Sequence, residues 1–234
     1  MRKEHGRLLF SSGDLRDFVE CKFSVDLDVA DLTKKIPRVV DSELDLLLQT
    51  RGNDFEEQYH TGIKSLYKSE GRSVAEIPGD ASIEERARTT IAAMSNGIDL
   101  IYQAGLFCVP WHGYPDYIRK VSGDSRFGAY RYEVADVKSR LNPSDDNVLQ
   151  ISLYSYLLGM VRNARPEHMY IITGDSEEHQ FKYANYSHYL TSILDEFSGY
   201  MDRAAAEGAR DIKIPLPCSF CSYCKWKDHC SELW

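Results

Sequence analysis

The hydrophobic and polar positions of residues 132–140, YEVADVKSR, alternate as a β-strand does. Tyr132, Val134 and Asp136 fall on one face; Glu133, Ala135 and Val137 fall on the other. A half-buried strand keeps its charges outside, yet Asp136 and Lys138 share one face two residues apart. The ordinary reading is an exposed, salt-bridged edge; the sharper one is a site for metal and phosphate.

The pattern elsewhere predicts a mixed α/β layout. Residues 14–30 read as a short helix and a turn containing Cys21. Phe55, Tyr59, Ile63 and Leu66 recur at helical spacing and mark one face of a long helix. RSVAEIP reads as a strand, and Ser82 with Glu85 makes a capping box for a helix from about 83 that Gly97 stops. Strand-like segments follow at 99–108, 113–121 and 130–138, and the turn-rich SGDSRFG joins the last two as a hairpin. A helix over 144–163, strands in HMYIIT and HQFKYA, and a helix over 187–207 precede a cysteine-rich tail.

The hairpin gathers acids. Its loop, Gly123–Gly128, makes paired residue numbers sum to about 251, which sets Asp116 opposite residue 135, beside Asp136. Like charges facing each other across strands are destabilising unless neutralised, and a hard divalent cation does this. Magnesium takes a few carboxylates, a carbonyl and water; the backbone carbonyl of Val137 is suited to the second of these. Lys138 is then placed to orient a water or to stabilise charge at phosphorus. The competing reading is a hairpin with incidental charges.

Two helices add polar pairs at i, i+4. Gln150 and Tyr154 share one face, beside a face marked as buried by Leu149, Leu153 and Met160. They are either phosphate- or base-contacting groups or the polar shoulder of a packed helix. Glu56 and His60 share another face; Glu56 can complete a metal shell, and His60 is either a contributor to it or a core-edge histidine.

Composition changes this picture in two places. The net charge of −8 lends no support to a nucleic-acid partner, which usually leaves a basic footprint, although bound cations invert a local field. Six cysteines are present, and Cys218, Cys221, Cys224 and Cys230 follow C-x2-C-x2-C-x5-C spacing, which favours a metal over disulfides in an intracellular chain. Tetrahedral Zn2+ and a [4Fe–4S] cluster both accept four thiolates. Cys108, in an apolar stretch, is expected to be a buried core thiol. With no apolar run of spanning length and no secretory leader, a cytoplasmic protein with no membrane partner is expected.

RGNDFEE, GYPDYI, VADVKSR and QISLY, in this order, resemble the RecB-like branch of the PD-(D/E)XK nucleases. CSYCKWKDHC with an upstream cysteine resembles the iron–sulphur members of that branch, which include CRISPR-associated and helicase-associated exonucleases. The resemblance implies a restriction-endonuclease-like α/β core, a central mixed sheet flanked by helices over 50–207, within a single domain, 1–234. A cysteine-rich metal-cluster appendage, 14–30 and 209–234, would join the two chain ends. It implies a Mg2+- or Mn2+-dependent deoxyribonuclease acting on single-stranded DNA ends, beside a helicase or CRISPR or repair proteins. Asp116, Asp136 and Glu56 take the positions of metal-binding acids, Lys138 that of the catalytic lysine, and Gln150 and Tyr154 the DNA-positioning motif. Cys21, Cys221, Cys224 and Cys230 take the cluster positions, with Cys218 as the alternative ligand. The runner-up is a non-catalytic nucleic-acid-binding or adaptor module stabilised by an iron–sulphur or zinc site.

Overall fold

The computed structural model describes residues 1–40, 42–162, 164–207 and 215–234. The expected helix end at 163 and the stretch 209–214 of the cysteine region lie outside the described residues. The strands are β1 (Arg2–Glu4), β2 (Arg7–Leu9), β3 (Val74–Glu76), β4 (Leu100–Tyr102), β5 (Leu106–Cys108), β6 (Trp111–Gly113), β7 (Tyr117–Ser125), β8 (Gly128–Val137), β9 (His168–Ile172) and β10 (Glu178–Lys182). The helices are α1 (Ser12–Glu20), α2 (Lys22–Lys34), α3 (Glu43–Ser69), α4 (Ile83–Ser95), α5 (Asp145–Arg162), α6 (Ala184–Glu207) and α7 (Lys227–Ser231). The chain forms two compact units, one of residues 47–190 and one of residues 1–46 with 191–234.

The unit of residues 47–190 is built on a mixed six-stranded sheet in the order β10-β9-β8-β7-β4-β3, flanked by helices. The β8–β9 and β4–β3 pairs are parallel and the others antiparallel. On one face, Phe55, Tyr59 and Ile63 of α3 pack with Tyr67 against Leu100, Tyr117, Ala135, Val137 and Ile172. On the other, the hydroxyl of Tyr132 bonds the Met94 carbonyl at the end of α4, and Ser152 of α5 reaches Met169 of β9. The inner half of β8, Tyr132–Val137, is therefore buried on both faces, and the expected half-buried strand is a central one.

Several boundaries move, each for a local reason. The expected short helix and turn over 14–30 are two helices, because Cys21 takes an extended backbone (φ −157°) that ends α1 and leads straight into α2. Its N–H bonds Asp17 O at 2.8 Å, and its carbonyl accepts from Ser24 Oγ at 2.7 Å. The expected strand over 99–108 breaks into β4 and β5 at Gln103, which has a left-handed φ of 54°. The strand expected over 113–121 is β6 followed by β7, and Pro115, with no N–H for a ladder, lies in the gap.

Tyr67, 6% exposed, replaces Leu66 on the buried stripe of α3, and Leu66 is 50% exposed. Met160 is 55% exposed and does not belong to the buried face of α5, and Cys108 is only half-buried. Helix α4 starts where its sequence suggests, with one half of the expected capping box formed as Ser82 Oγ accepts the Glu85 N–H at 3.2 Å, and ends before Gly97, whose φ of 69° suits glycine. Among the described residues no helix is long and apolar enough to cross a membrane.

The unit of residues 1–46 and 191–234 packs Phe10 and Phe18 edge-on against Phe197 at 4.8 and 5.1 Å. A second apolar cluster holds Leu27, Phe220, Cys224, Trp226 and Cys230, with Cys21, Phe23 and Ile36 against it. Trp226 is fully buried, and its indole N–H donates to Asp28 at 2.9 Å. Lys225 pairs with the same carboxylate at 2.8 Å. These two contacts fasten the cysteine-rich tail to α2.

Candidate functional site

The β7–β8 register decides where the acids meet. Tyr117 pairs with Ala135 and Ile118 with Val134, so paired numbers sum to 252, one more than the loop-centred value. Continued by one residue, this register sets Asp116 against Asp136. Arg126 and Phe127 form the tip of the hairpin, and a shift in register between Ser122 and Ser125 supplies the extra residue. Asp116 Oδ2 accepts the Val137 N–H at 2.7 Å, and Asp136 Oδ1 lies 3.4 Å from the Asp116 N–H. Each carboxyl thus reaches onto the other strand.

Asp136 is 1% exposed. Its Oδ2 is ion-paired to the Lys138 ammonium but accepts no well-directed hydrogen bond. Burial pushes the Asp116 carboxyl well above the ordinary aspartate range, and the charges of Asp136 and Glu56 push it further. Burial works against the Lys138 ammonium, but Asp136 and Asp116 outweigh it and hold the lysine above its ordinary value. Lys138 is therefore a fixed cation at neutral pH.

Glu56 comes from α3, on the sheet face opposite Asp136, and reaches the group at the strand ends. Its Oε1 accepts from the Tyr102 hydroxyl at 3.0 Å and from the Gln103 side-chain amide. Burial, followed by the Glu56 charge, raises Tyr102 above the ordinary tyrosine range, which keeps it a donor. On the other flank the Gln150 side-chain N–H donates to the Tyr154 hydroxyl at 2.9 Å, and Tyr154 is close enough to Lys138 to add to its upward shift. Tyr154 lies against Gly113, where a Cβ would come within 2.5 Å of the tyrosine ring. His60 shares Tyr102 with this group but takes its polar contacts elsewhere. Its Nε2 lies 3.2 Å from Glu76, its Nδ1 3.3 Å from the Tyr117 hydroxyl, and its ring stacks on Tyr102 with centroids 3.6 Å apart.

The structure thus brings Glu56, Asp116, Asp136, Lys138, Gln150 and Tyr154 into one contiguous group and turns His60 toward Glu76 and Tyr117. Tyr102, Gln103 and Gly113 belong to the group and were not singled out from sequence. A lone glycine inside a strand-like run signals a close backbone approach, so Gly113 carried a readable cue. Gln103 carried none, because its role rests on a backbone angle.

Asp116 and Asp136 crowd the Lys138 ammonium, Glu56 adds its charge beside Asp116 in a desolvated place, and Asp136 Oδ2 has a hydrogen-bonding position to spare. Both features suit a hard divalent cation. Among the described residues, no three His, Cys, Asp or Glu side chains stand ready-made as a metal cage.

The cysteines form a second candidate centre. All six are free thiols. Cys21, Cys224 and Cys230 share one apolar cluster, and the sulphurs of Cys218 and Cys221 are 3.8 Å apart. Burial, with the neighbouring Cys224, Cys21, Cys221 and Cys218, pushes the Cys230 thiol up to about 11. Thiols that oppose one another's ionisation in this way suit a cationic centre, which reverses the penalty. The five cysteines so grouped include both Cys21 and Cys218.

Comparison with protein-family models and with curated proteins found no match to this chain.

Proposed function

We propose that the chain is a metal-dependent deoxyribonuclease that hydrolyses phosphodiester bonds at single-stranded DNA ends. The reading rests on the resemblance of its motifs to RecB-like PD-(D/E)XK nucleases. The observation that carries it is the meeting of Glu56, Asp116 and Asp136 beside the Lys138 ammonium. These residues come from α3, from the residue before β7 and from the end of β8, and share no sequence neighbourhood, except that Asp136 and Lys138 lie two apart.

Asp116 and Asp136, with Glu56 and the Val137 carbonyl, would hold Mg2+ or Mn2+. A cation so held lowers the pKa of its water and offsets charge on the phosphate. Lys138 keeps its proton and presents a fixed positive charge to the non-bridging oxygens, where negative charge grows. Asp136, ion-paired with it, limits where that ammonium can point. Gln150 and Tyr154, bonded to each other, offer an amide and a hydroxyl to the backbone of the strand. Cys21, Cys221, Cys224 and Cys230, with Cys218 as the alternative ligand, would hold a [4Fe–4S] cluster, which broad visible absorption of the purified protein would separate from Zn2+.

The test is cleavage of end-labelled single-stranded DNA with Mn2+. Wild type is expected to cut, and Lys138→Ala to lose at least about 100-fold in rate while still binding the strand, as removal of a charge-stabilising group does. Equal rates in the two proteins, or no cleavage by wild type, would refute the assignment.

A further inference from the structure

Gln103 holds two of the three acids at once. Its backbone N–H donates to the Asp116 carbonyl at 2.8 Å, and its side-chain amide donates to Glu56 Oε1. It does both from a left-handed backbone, φ 54°, a conformation that a residue with a side chain rarely adopts. The turn ends β4 and sends the side chain toward α3 while the N–H still faces the start of β7. Arg86 braces the turn. Its Nη2 donates to the Gln103 carbonyl at 2.8 Å, and its guanidinium lies 4.1 Å over the Tyr114 ring.

The arrangement answers a geometric need. Asp116 and Asp136 face one side of the sheet, whereas Glu56 rides on the helix covering the other. A ligand set drawn from both sides needs a fixed distance at the strand ends. Tyr102 OH and Gln103 both bond Oε1 of Glu56, and no hydrogen bond to Oε2 is formed among the described residues. The clamp therefore fixes one oxygen and leaves the other free of hydrogen bonds among the described residues.

We propose that Gln103 is a positioning residue for the cation site: its strained turn fixes the spacing between Glu56 and Asp116, and so sets the affinity for a divalent metal. The inference rests on the metal-dependent reading above. Partners of this kind, which hold a ligand rather than touch the metal, are typically worth 10- to 100-fold in metal affinity.

The test is direct Mn2+ binding, read as loss of the free-ion signal in electron paramagnetic resonance, with Asp136→Asn giving the background. Gln103→Gly accepts the left-handed backbone and keeps the N–H to Asp116 but loses the clamp on Glu56. Gln103→Asn also tolerates that backbone, and its amide is one methylene short. Both are expected to fold with melting temperatures near wild type and to bind Mn2+ about tenfold more weakly, with Tyr102 still holding Glu56. In the Glu56→Gln background, Gln103→Gly is expected to cause no further loss.

Wild-type affinity in both Gln103 variants, with binding lost in Asp136→Asn, would overturn the inference and leave the metal site standing. A fall in melting temperature with no change in affinity would do the same, since it marks a purely structural brace. Absence of Mn2+ uptake by wild type would overturn the site itself.

Discussion

Asp116 is the residue whose environment opposes its charge most openly. Its pKa in the fold lies above its value in an unfolded chain, so its contribution to stability is fully present below the unfolded value of about 4. That contribution is lost as pH rises through the folded value. In EDTA, Asp116→Asn, which stays neutral, is therefore expected to melt a few degrees higher than wild type at pH 7. The gap should close as pH falls to about 4, where both side chains are uncharged. Thermal melts at a series of pH values check this, and a variant that is less stable at pH 7 would contradict the sign. Added Mn2+ should reverse the order by stabilising wild type alone. Lys138 behaves in the opposite way. Its two acids hold its proton, so at neutral pH it stands as a charge and not as a base.

At the scale of elements, the hairpin of β7 and β8 and its neighbours set the site. Register matters because a slip of one residue would send every side chain of the strand to the opposite face. The short ribbon of β5 and β6 matters because Gly113 lets the Tyr154 ring lie directly on the backbone. Gly113→Ala would force that ring, and the Gln150 amide bonded to it, away from Lys138. Overpacking of this kind costs about 1–3 kcal/mol. Denaturant melts should show the loss, and strand affinity should fall with it, whereas Gly62→Ala, in open space on α3, should raise stability by about 0.5–1 kcal/mol and leave strand affinity unchanged.

At the scale of the whole molecule, the chain's two ends form one unit and its middle forms the other. A metal held by Cys21 and the tail cysteines, as proposed, would close a very long loop of chain, and metal binding of this type contributes to folding. Removing the metal with a chelator, or substituting Cys230→Ser, is expected to raise amide hydrogen exchange across residues 1–46 and the described part of 191–234. Residues 47–190 should keep their protection, because the six-stranded sheet has its own core. Uniform loss of protection across both units would count against a local structural role for the cysteines.

The sequence alone determined the α/β class, the hairpin and the long helices, because alternation, helical periodicity and turn residues are local properties of the chain. It also placed Asp116 within one residue of its partner, since a short loop leaves little freedom of register. Tertiary structure decided the rest. Burial of β8 on both faces turns the Asp136–Lys138 pair into a desolvated one, and a stripe chosen by packing takes Tyr67 in place of Leu66. His60 is drawn to Glu76 and Tyr117 by elements far from it in sequence. Gln103 reaches both Glu56 and Asp116 only because one backbone angle turns the chain where three elements meet, and no pattern of residue types encodes that angle.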